Sequence, residues 1–438
     1  MELKKIDQKV FKLLEEEKKR QVDTLVMIPS ENYMSEAVLA VLGSVFSNKY
    51  SEGYPGSRYY QGNEIYDNLE NLAIERAKEL YDVEHVNVQP YSGSIANAAI
   101  YMALLEPGDT LMGMRLKDGG HLSHGHDKVT FAGTYFRAVH YGVGEDGYID
   151  YDEVARIARE EKPKLIVCGY SAYPRLVDFA KFSKIANEVG AWLVADISHI
   201  SGLVVGKMHP TPVQSAHVVM TTTHKTLRGP RGAMIMVTRK GIRKMSDLPQ
   251  KIDKAVFPGL QGGPHNNQIA ALAVALAEAK KSPFKLYARK IVQNANVLAS
   301  ELVNNFGWNL VTGGTDTHLL LADVRSFGVS GKVAAVAMEI ACMVMNANAI
   351  PGDPNGPLNP SGLRFGTPAI TTRNMTVAEM KLIAGYMNDV MEVIRDYGDK
   401  VDGLYQNKKL RDIGNTVAKM ARLYPVPGTE IEEEIKKE

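Results

Sequence analysis

Apolar residues along the chain follow two spacings, and the way these alternate predicts an α/β protein. Short runs such as LIVCGYSAY (165–173) and WLVADIS (192–198) have the length and composition of buried strands. Between and after these runs, apolar residues recur at helical spacing, for example from Phe179 until Gly190 ends the pattern. Strands that alternate with helices of this length predict a doubly wound, mostly parallel sheet with both faces covered.

The sequence predicts two domains after residue 63. The sheet belongs to a large domain at 64–281, and a smaller C-terminal α/β domain follows at 282–438. The other strands predicted for the large domain are HVNVQP (85–90), which the helix SIANAAIYMALLE follows, TLMGM (110–114) and AHVVMTTT (216–223). A long helical stretch (266–306) leads out of this domain. The smaller domain is predicted to contain strand HLLLADV (318–324), helix VAAVAMEIACMV (333–344), strand-like LRFGTPA (363–369) and a helix at 377–398.

Residues 1–63 are predicted to form an N-terminal arm followed by an interface loop. Within 3–20, four apolar side chains share one helical face: Ile6, Val10, Leu13 and Leu14. This helix is therefore expected to pack against another surface, such as that of a second subunit. The stretch 28–62 is rich in Pro and Gly yet carries five tyrosines, so we expect it to lie against a protein surface as well.

Composition narrows the class of function without identifying one. The 438 residues are 45% hydrophobic and 23% charged with a formal net charge of +1, so neither a nucleic acid nor an anionic membrane is an expected partner. Two cysteines, Cys168 and Cys342, offer no disulfide framework and no C-x-x-C metal site, which favours a reducing compartment. The charged N-terminus is unlike a signal peptide, and the most apolar stretch (269–277) is too short to cross a bilayer. We expect a cytoplasmic enzyme that acts on small molecules and holds no metal.

The sequence Ser92, Gly93 and Ser94 lies between a predicted strand and a predicted helix. Small residues at this junction allow backbone N–H groups and hydroxyls to face a phosphate at the helix N-terminus, where the dipole favours negative charge. Ordinary N-capping by either serine is the alternative, and the motif taken alone favours it.

Two further polar residues follow the strand WLVAD. Asp196 ends this strand, where its carboxylate faces the crevice beyond the sheet and could pair with a cationic ring nitrogen. A helix cap or a loop hydrogen bond would explain an aspartate here equally well. His199 is close enough to line the same crevice, although a lone histidine in such a place is more often structural.

Lys225 follows the strand VVMTTT, within THKTLRGPRG (223–232). Lysine normally prefers solvated faces, so a lysine among threonines and glycines at a strand end is unusual. Burial near cations such as Arg231 would lower its pKa and leave a neutral amine able to form a Schiff base. A solvated lysine in a basic loop is the alternative, and for a lysine taken alone it is the commoner case.

These features follow one another along one predicted sheet, and together they favour a single cofactor. Pyridoxal phosphate requires a phosphate site, an acid for its pyridinium nitrogen and a Schiff-base lysine. No other common cofactor requires that set, and the G-x-x-x-x-G-K-[ST] sequence of a P-loop is absent. The combination therefore predicts a pyridoxal-phosphate enzyme.

Long segments over nearly the whole chain resemble the serine hydroxymethyltransferase family. They are IPSENY (28–33), NKYSEGYPGSRYYQG (48–62), NVQPYSGSIAN (87–97), GGHLSHG (119–125), SAYPR (171–175), DISHISG (196–202), TTTHKTLRGPRG (221–232), FPGLQGGP (257–264) and SGLRFGTPAIT (361–371). The resemblance implies a fold-type-I pyridoxal-phosphate transferase, a homodimer or tetramer with active sites shared between subunits. It also implies reversible transfer of the hydroxymethyl carbon of L-serine to tetrahydrofolate in one-carbon metabolism and amino-acid biosynthesis, giving glycine and 5,10-methylenetetrahydrofolate.

The resemblance also implies which residues hold the cofactor. Lys225 would carry it as an aldimine, Asp196 would pair with the pyridinium nitrogen, and His121 would stack on the ring. His199 and Ser171 would lie near the phenolic oxygen. The implied phosphate-side residues are Ser92, Gly93 and Ser94, joined across the subunit interface by Gly262 and Gly263. Tyr50, also supplied by the neighbouring subunit, would be a further cofactor-binding residue.

Substrate residues are implied in the same way. Arg364 would clamp the substrate carboxylate with help from Ser30. Glu52, supplied by the neighbouring subunit, would transfer a proton at the serine hydroxyl or the folate, and Tyr60 would help to position the substrate. His224 matches a position tied to reaction specificity. The implied folate pocket consists of Tyr59, Leu116, Gly120, Leu122, Asn348 and the turn at 356–358.

Two rival functions stay open on the sequence alone. The first is a folate-independent aldolase or an α-methylserine hydroxymethyltransferase. The presence of Glu52, Tyr59 and Asn348 favours folate use, but the shape of the pocket decides between these activities. The second is a non-catalytic pyridoxal-phosphate-binding protein that acts through partners. The presence of Lys225 and Arg364 together with the other catalytic residues argues against it.

Overall fold

The computed structural model describes residues 2–127, 129–356 and 358–429. Within these residues there are two main sheets, and the larger one has seven strands. From one edge to the other the strands are His85–Asn87, Ala233–Val237, Val218–Thr222, Trp192–Asp196, Leu165–Gly169, Thr110–Met114 and Arg137–Tyr141. Six of them run parallel, and Ala233–Val237 is antiparallel to both of its neighbours. The prediction of a mostly parallel sheet is confirmed.

Both faces of this sheet are buried, which explains why its strands read as continuous apolar runs. Leu165 and Val167 belong to one hydrophobic cluster, whereas Ile166 and Cys168 belong to another, because successive strand residues point to opposite faces. The helices in this part of the chain are Glu64–Tyr81, Gly93–Leu104, Phe131–Tyr135, Tyr151–Glu161, Phe179–Glu188, Ser201–Val205, Arg239–Lys244, Leu248–Lys254 and Asn266–Ala279.

The smaller sheet is antiparallel and has its own hydrophobic cluster. Its strands, in spatial order, are Asn309–Leu310, Leu319–Asp323, Gly362–Gly366 and Asn346–Asn348. The cluster on this sheet takes in Leu25 and Met27 from the N-terminal arm. The helices of this region are Ser282–Phe306, Gly331–Ile340, Pro368–Thr372, Val377–Val393 and Lys408–Ala421.

Three helices predicted in the C-terminal half of the chain differ from those observed. The helix predicted at 333–344 ends at Ile340, since Cys342 has a left-handed φ of 59°, and Met343–Val344 then pairs in parallel with Leu25–Val26. The stretch predicted as helical from 266 to 306 is two helices, interrupted at Lys280 and Lys281. The helix predicted at 377–398 ends at Val393.

The N-terminal arm is two helices, Glu2–Ile6 and Gln8–Asp23, instead of the single helix predicted at 3–20. Asp7 separates them because its side chain caps the second helix, accepting from the backbone N–H groups of Lys9 and Val10. The apolar face of the arm is open to solvent in this chain, with Ile6 76% exposed. Packing of this face against another surface stays a prediction.

The predicted domain boundaries at 63/64 and 281/282 also stay predictions, although the helix break at Lys280 and Lys281 falls beside the second of them.

Within the described ranges, no helix combines the length and the apolar character that crossing a bilayer requires. The charged tail at 431–438, for which a solvated end is expected, and residue 357 of the predicted folate turn lie outside the described residues.

Candidate active site

A cavity of about 340 Å³ lies beyond the carboxyl ends of the parallel strands, where α/β sheets bind ligands. The sequence-predicted site residues that line it are Ser30, Ser92, Gly93, Ser94, His121, Ser171, Asp196, His199, His224 and Lys225. Apart from Ser30, which follows the N-terminal arm, these residues lie at the carboxyl ends of different parallel strands or in the segments that follow them, so the parallel sheet is what brings them together.

Lys225 is buried in this cavity, with 9% of the residue exposed. Burial lowers the pKa of its amine to about 8; Asp196 opposes this effect, and the cations Arg364 and Arg231 add to it. Lys225 is therefore not a solvated lysine of a basic loop. A substantial fraction of its amine is neutral near pH 8, which is the form that attacks a carbonyl carbon.

Asp196 is a buried carboxylate held ionised by donors on both of its oxygens. Oδ1 accepts the backbone N–H of Ser198 at 3.0 Å, and Oδ2 accepts from Asn97 Nδ2 at 3.1 Å and lies 2.9 Å from His124 Nε2. Burial alone would raise the pKa of Asp196, but the bonds from His124 and Ser198 outweigh it and hold the pKa well below its usual range. The loop hydrogen bond expected as an alternative is present, yet the residue also presents a fixed negative charge to the cavity.

The helix Gly93–Leu104 starts at the cavity with its hydroxyls unused. Ser92 is the N-cap residue but makes no capping bond with its side chain, and neither Ser92 nor Ser94 has a side-chain hydrogen bond within the described residues. A Cβ on Gly93 would lie 2.7 Å from Thr222 Cγ2, so only glycine lets the helix end approach the neighbouring strand. Plain N-capping is not what these serines do, and a helix N-terminus with two available hydroxyls suits an anion.

His121 faces the cavity as a neutral ring. Its Nδ1 lies 2.8 Å from Ser123 Oγ. Burial, followed by the influence of His124, lowers the pKa of His121 to about 4. An uncharged ring can stack against a flat aromatic ligand without the cost of burying a charge.

Arg364, on the smaller sheet, lies behind the same cavity and bonds to Ser171, one of the residues that line it. Its Nη1 donates to the backbone oxygen of Ser171 at 2.8 Å and to Ser171 Oγ at 3.0 Å, and its Nε donates to Asn346 Oδ1 at 3.1 Å. These bonds leave Nη2 without a protein partner among the described residues. Burial lowers the pKa of Arg364 to about 10, so the guanidinium still carries its charge at neutral pH and suits a carboxylate.

A second group of predicted residues gathers elsewhere, and none of its members lines the cavity around Lys225. A Cβ on Gly263 would lie 2.9 Å from Tyr50 Cε1, and one on Gly262 would lie 3.4 Å from Glu52 Oε1. The rings of Tyr50 and Tyr60 meet edge to face at 5.6 Å, and the Glu52 carboxylate raises the pKa of Tyr60. We call Tyr50, Glu52, Tyr60, Gly262 and Gly263 the loop cluster.

The loop that carries Glu52 is held in place by one buried arginine. Arg58 Nη1 donates to the backbone oxygens of Ser51 and Gly53, both at 2.8 Å, and these two residues flank Glu52. Arg58 Nη2 also pairs with the buried Glu70 at 2.7 Å. The position of Glu52 on the surface is therefore defined by the protein's own hydrogen bonds.

The residues predicted for folate are spread over several elements, and none of them lines the cavity around Lys225. Leu116 and Leu122 lie in the short 3₁₀ turns Leu116–Asp118 and Leu122–His124, and 46% of Leu122 is exposed. Gly120, between the turns, lies so close to Met114 O that any Cβ would clash. Tyr59 is 68% exposed, and Asn348 is on the smaller sheet.

Several residues at the site were not predicted from the sequence. His124 and Asn97 hold Asp196, Asn346 holds Arg364, and His318 lies beside His199. His124 lies within the quoted segment GGHLSHG, so that segment carried a signal for it. His318 opens a predicted strand 119 residues from its partner, and no local pattern links the two.

Comparison with known proteins agrees with this geometry. The family model described as serine hydroxymethyltransferase matches residues 3–387. A serine hydroxymethyltransferase of Acidothermus cellulolyticus is 52% identical over 423 residues, which is 96% of this chain and 96% of that protein. Those of Desulfotalea psychrophila and Sorangium cellulosum are 49% and 50% identical, covering 98% and 97% of this chain and 96% of each relative.

Proposed function

The chain belongs to the serine hydroxymethyltransferase family, and from that premise we propose how its residues divide the work of the reaction. It is a fold-type-I, pyridoxal-phosphate-dependent enzyme that transfers the hydroxymethyl carbon of L-serine to tetrahydrofolate, reversibly. The products are glycine, 5,10-methylenetetrahydrofolate and water.

The residues around the cavity fit pyridoxal phosphate. Three buried polar atoms in the cavity wall have no hydrogen-bond partner within the described residues, namely Thr222 Oγ1, His224 Nδ1 and Asn97 Oδ1. Such atoms are rare in a protein interior unless a ligand or water satisfies them. Ser92 and Ser94 would hold the phosphate at the helix N-terminus, and Lys225 would hold the aldehyde carbon.

When bound, pyridoxal phosphate supplies an electron sink that stabilises negative charge at the α-carbon of the amino acid. Asp196 would keep that sink effective by holding a proton on the pyridinium nitrogen, because the pKa of Asp196 lies far below that of a ring nitrogen. His121, a neutral imidazole, would cover one face of the ring. Ser171 and His199 would bond the phenolic oxygen, and His224, whose pKa burial lowers to about 3, borders the lysine as a neutral ring.

Arg364 and Ser30 orient the amino acid. The cationic guanidinium pairs with the substrate carboxylate, which fixes the α-carbon relative to Lys225 and excludes substrates without a carboxylate. The support from Asn346 and Ser171 keeps the guanidinium in one orientation before substrate arrives. This arrangement lowers the entropic cost of binding in a productive pose.

The loop cluster acts in the cavity of a second subunit. The observation that supports this is that Glu52, Tyr50 and Tyr60 are grouped together, fixed by Arg58 and partly exposed, while the cavity of their own chain lacks them. In a homodimer, Glu52 would transfer protons at the serine hydroxyl or the folate, and Tyr60 would position the substrate. Tyr50, Gly262 and Gly263 would complete the phosphate site, and a tetramer of two such dimers would keep the same pairing.

Complementation between inactive subunits tests this arrangement. Glu52→Ala and Lys225→Ala proteins should each be inactive, but a mixed dimer contains one site with both native residues. Random exchange should therefore restore about one quarter of the wild-type activity. A mixture of Lys225→Ala with the double variant Glu52→Ala/Lys225→Ala is the matched control, because none of its sites is native. Verified mixed dimers without activity would rule out the shared site.

Folate would bind beside Tyr59, Leu116, Gly120, Leu122 and Asn348. Tyr59 and Leu122 offer exposed apolar surface for a flat pterin ring, which agrees with that role.

We place the enzyme in the cytoplasm, because both Cys168 and Cys342 are free thiols and a reducing compartment favours free thiols. Membranes and nucleic acids are not proposed as partners.

A further inference from the structure

His199 and His318 form a buried histidine pair that joins the two sheets at the cavity. His199 Nδ1 lies 3.4 Å from His318 Nε2, and the two rings are inclined by 26° with their centroids 5.6 Å apart. His199 follows the strand Trp192–Asp196 of the larger sheet, and His318 directly precedes the strand Leu319–Asp323 of the smaller one. His199 also lines the cavity, whereas His318 lies behind it.

Both rings are uncharged. Burial, with Lys225 as the next cause, lowers the pKa of His318 to about 3 and that of His199 well below its ordinary value. Lys225 and Arg364 face this pair from the two sheets, and each disfavours a further positive charge there. Each neutral ring therefore has one N–H donor and one lone pair, and the bond between them requires opposite roles for Nδ1 and Nε2.

The surroundings of His318 decide which role each nitrogen has. His318 Nδ1 is buried and has no hydrogen-bond partner within the described residues. An orphaned N–H is rarer in protein interiors than an unsatisfied acceptor, so the proton of His318 belongs on Nε2. His318 Nε2–H then donates to His199 Nδ1, which leaves the proton of His199 on Nε2. No protein atom within the described residues bonds His199 Nε2, although the ring lines the cavity.

His318 is itself held firmly in this position. Its backbone oxygen accepts the backbone N–H of Thr367 at 3.1 Å. The turn before it is tied to the segment after the strand Leu165–Gly169 of the larger sheet by the bond from the backbone N–H of Asp316 to Pro174 O at 2.9 Å. His199 is fixed by Thr226 Oγ1, which donates to its backbone oxygen at 2.9 Å. Both rings are therefore presented to each other by anchored backbone.

We propose that His318 is a positioning residue that holds His199 in the Nε2-protonated form, so that a fixed N–H donor faces the cavity. This inference rests on the proposed function to the extent that His199 is assigned to the phenolic oxygen of the cofactor. That oxygen carries partial negative charge and accepts hydrogen bonds, so the other tautomer of His199 would present a lone pair to it and repel it. His318 would thus act on cofactor binding without touching the cofactor.

Neutron diffraction from deuterated crystals of the cofactor-loaded protein tests the assignment directly. We expect deuterium on Nε2 of both His318 and His199 and none on His199 Nδ1. Deuterium on His199 Nδ1 would overturn the proposal. No substrate takes part, so a failure of the proposed catalytic roles would leave this result unaffected.

Variants of His318 test the consequence for binding. His318→Phe keeps a ring but removes the donor, and should weaken pyridoxal-phosphate affinity by roughly tenfold, as expected for impairing one hydrogen bond to a charged acceptor. His318→Gln keeps an N–H donor within reach of His199 Nδ1 and should remain within about threefold of wild type. Equal losses in both variants, or no loss in His318→Phe, would contradict the positioning role.

The matched control is His217→Phe, at the amino end of the strand Val218–Thr222 and therefore at the opposite edge of the sheet from the cavity. His217 is also buried, with its pKa lowered to about 3 by burial, and its Nδ1 accepts the backbone N–H of Leu193 at 2.9 Å. This variant should lower the thermal stability of the cofactor-free protein but leave cofactor affinity unchanged. A comparable loss of affinity in His217→Phe would show that the effect at His318 is one of general destabilisation.

Discussion

Lys225 and Asp196 are both buried at the cavity, but their surroundings affect the charge of each side chain in opposite ways. They favour the neutral form of the lysine and the ionised form of the aspartate. Burial lowers the pKa of the lysine to about 8 and leaves part of it neutral, whereas donors from three residues keep the aspartate ionised despite its burial. The first arrangement makes a nucleophile and the second a permanent negative charge. A single cavity can therefore provide both groups that a pyridinium aldehyde requires.

The lowered pKa of Lys225 predicts how the cofactor-free protein takes up pyridoxal phosphate. If the neutral amine is the reactive form and its pKa is about 8, the rate of covalent attachment should rise about tenfold between pH 7 and pH 9 and then level off. A lysine of ordinary pKa would instead show a rise of about a hundredfold over that range with no plateau. Stopped-flow absorbance measures the rate, with Lys225→Ala as the blank. A rate that continues to climb to pH 10.5 would contradict the account.

At the scale of elements, Arg373 joins the N-terminal arm to the last helix. Its guanidinium is fully buried and donates to five backbone oxygens, those of Gln21, Val22, Thr24, Ala421 and Tyr424. The oxygens of Gln21, Val22 and Ala421 belong to the last turns of Gln8–Asp23 and Lys408–Ala421, where helices leave carbonyl groups unpaired, and those of Thr24 and Tyr424 lie just beyond these helix ends. One planar cation thus satisfies two helix ends at once.

Arg373→Lys should therefore destabilise the protein by about 3 kcal/mol, because an ammonium cannot reach five acceptors and leaves buried carbonyls unpaired. Urea unfolding measures this loss, and limited proteolysis should then cut within the arm. Arg422→Lys is the matched control, since Arg422 joins the same two elements through an exposed pair with Asp23 and should cost less than about 1 kcal/mol. Equal losses for the two variants would contradict the role given to Arg373.

Elements that were predictable from the sequence have a local signature, and the ones that were missed do not. Thr110–Met114 has the bounds predicted for it, because a five-residue apolar run flanked by polar residues is typical of a buried strand. The strand Ala233–Val237 was not predicted, although it is equally apolar and follows a glycine-rich loop. The periodicity of so short an apolar run does not distinguish a strand from part of a helix. Arg137–Tyr141, at the sheet edge, contains Arg137 and His140 and lacks an apolar run.

The same distinction applies to the site. Polar residues that directly follow apolar strands, such as Asp196 and Lys225, were predictable because parallel strands end at one edge of a sheet. His318 and Asn346 support site residues from the smaller sheet, and tertiary packing alone brings them there. The early end of the helix Gly331–Ile340 was missed because Cys342 adopts a left-handed conformation that favours glycine or asparagine.

At the scale of the whole molecule, buried histidines couple stability to pH. Burial lowers the pKa of seven of the eleven histidines: His121, His140, His199, His209, His217, His224 and His318. These rings are neutral in the folded protein, whereas in the unfolded chain they bind protons as the pH falls below about 6.5. Their contribution to stability is therefore complete above pH 6.5 and is lost as the pH falls towards their folded pKa values.

Acid should accordingly destabilise the protein well above the pH at which carboxylates titrate. Each of the four fully buried rings, those of His199, His209, His217 and His318, should lower the free energy of unfolding by up to about 1.4 kcal/mol per pH unit below pH 6, and the partly buried ones should lower it by less. Urea midpoints measured at pH 7.5, 6.5 and 5.5 should show a small first step and a larger second one. Equal midpoints at pH 7.5 and 5.5 would contradict the assignment of these rings as neutral.

Glycine formation from L-serine by the purified, cofactor-loaded protein, with and without tetrahydrofolate, tests the central claim most directly. The account predicts turnover that depends strongly on the pterin and disappears in Lys225→Ala. Turnover that ignores tetrahydrofolate would indicate an aldolase instead, and absence of turnover with the cofactor bound at Lys225 would contradict catalysis by this site.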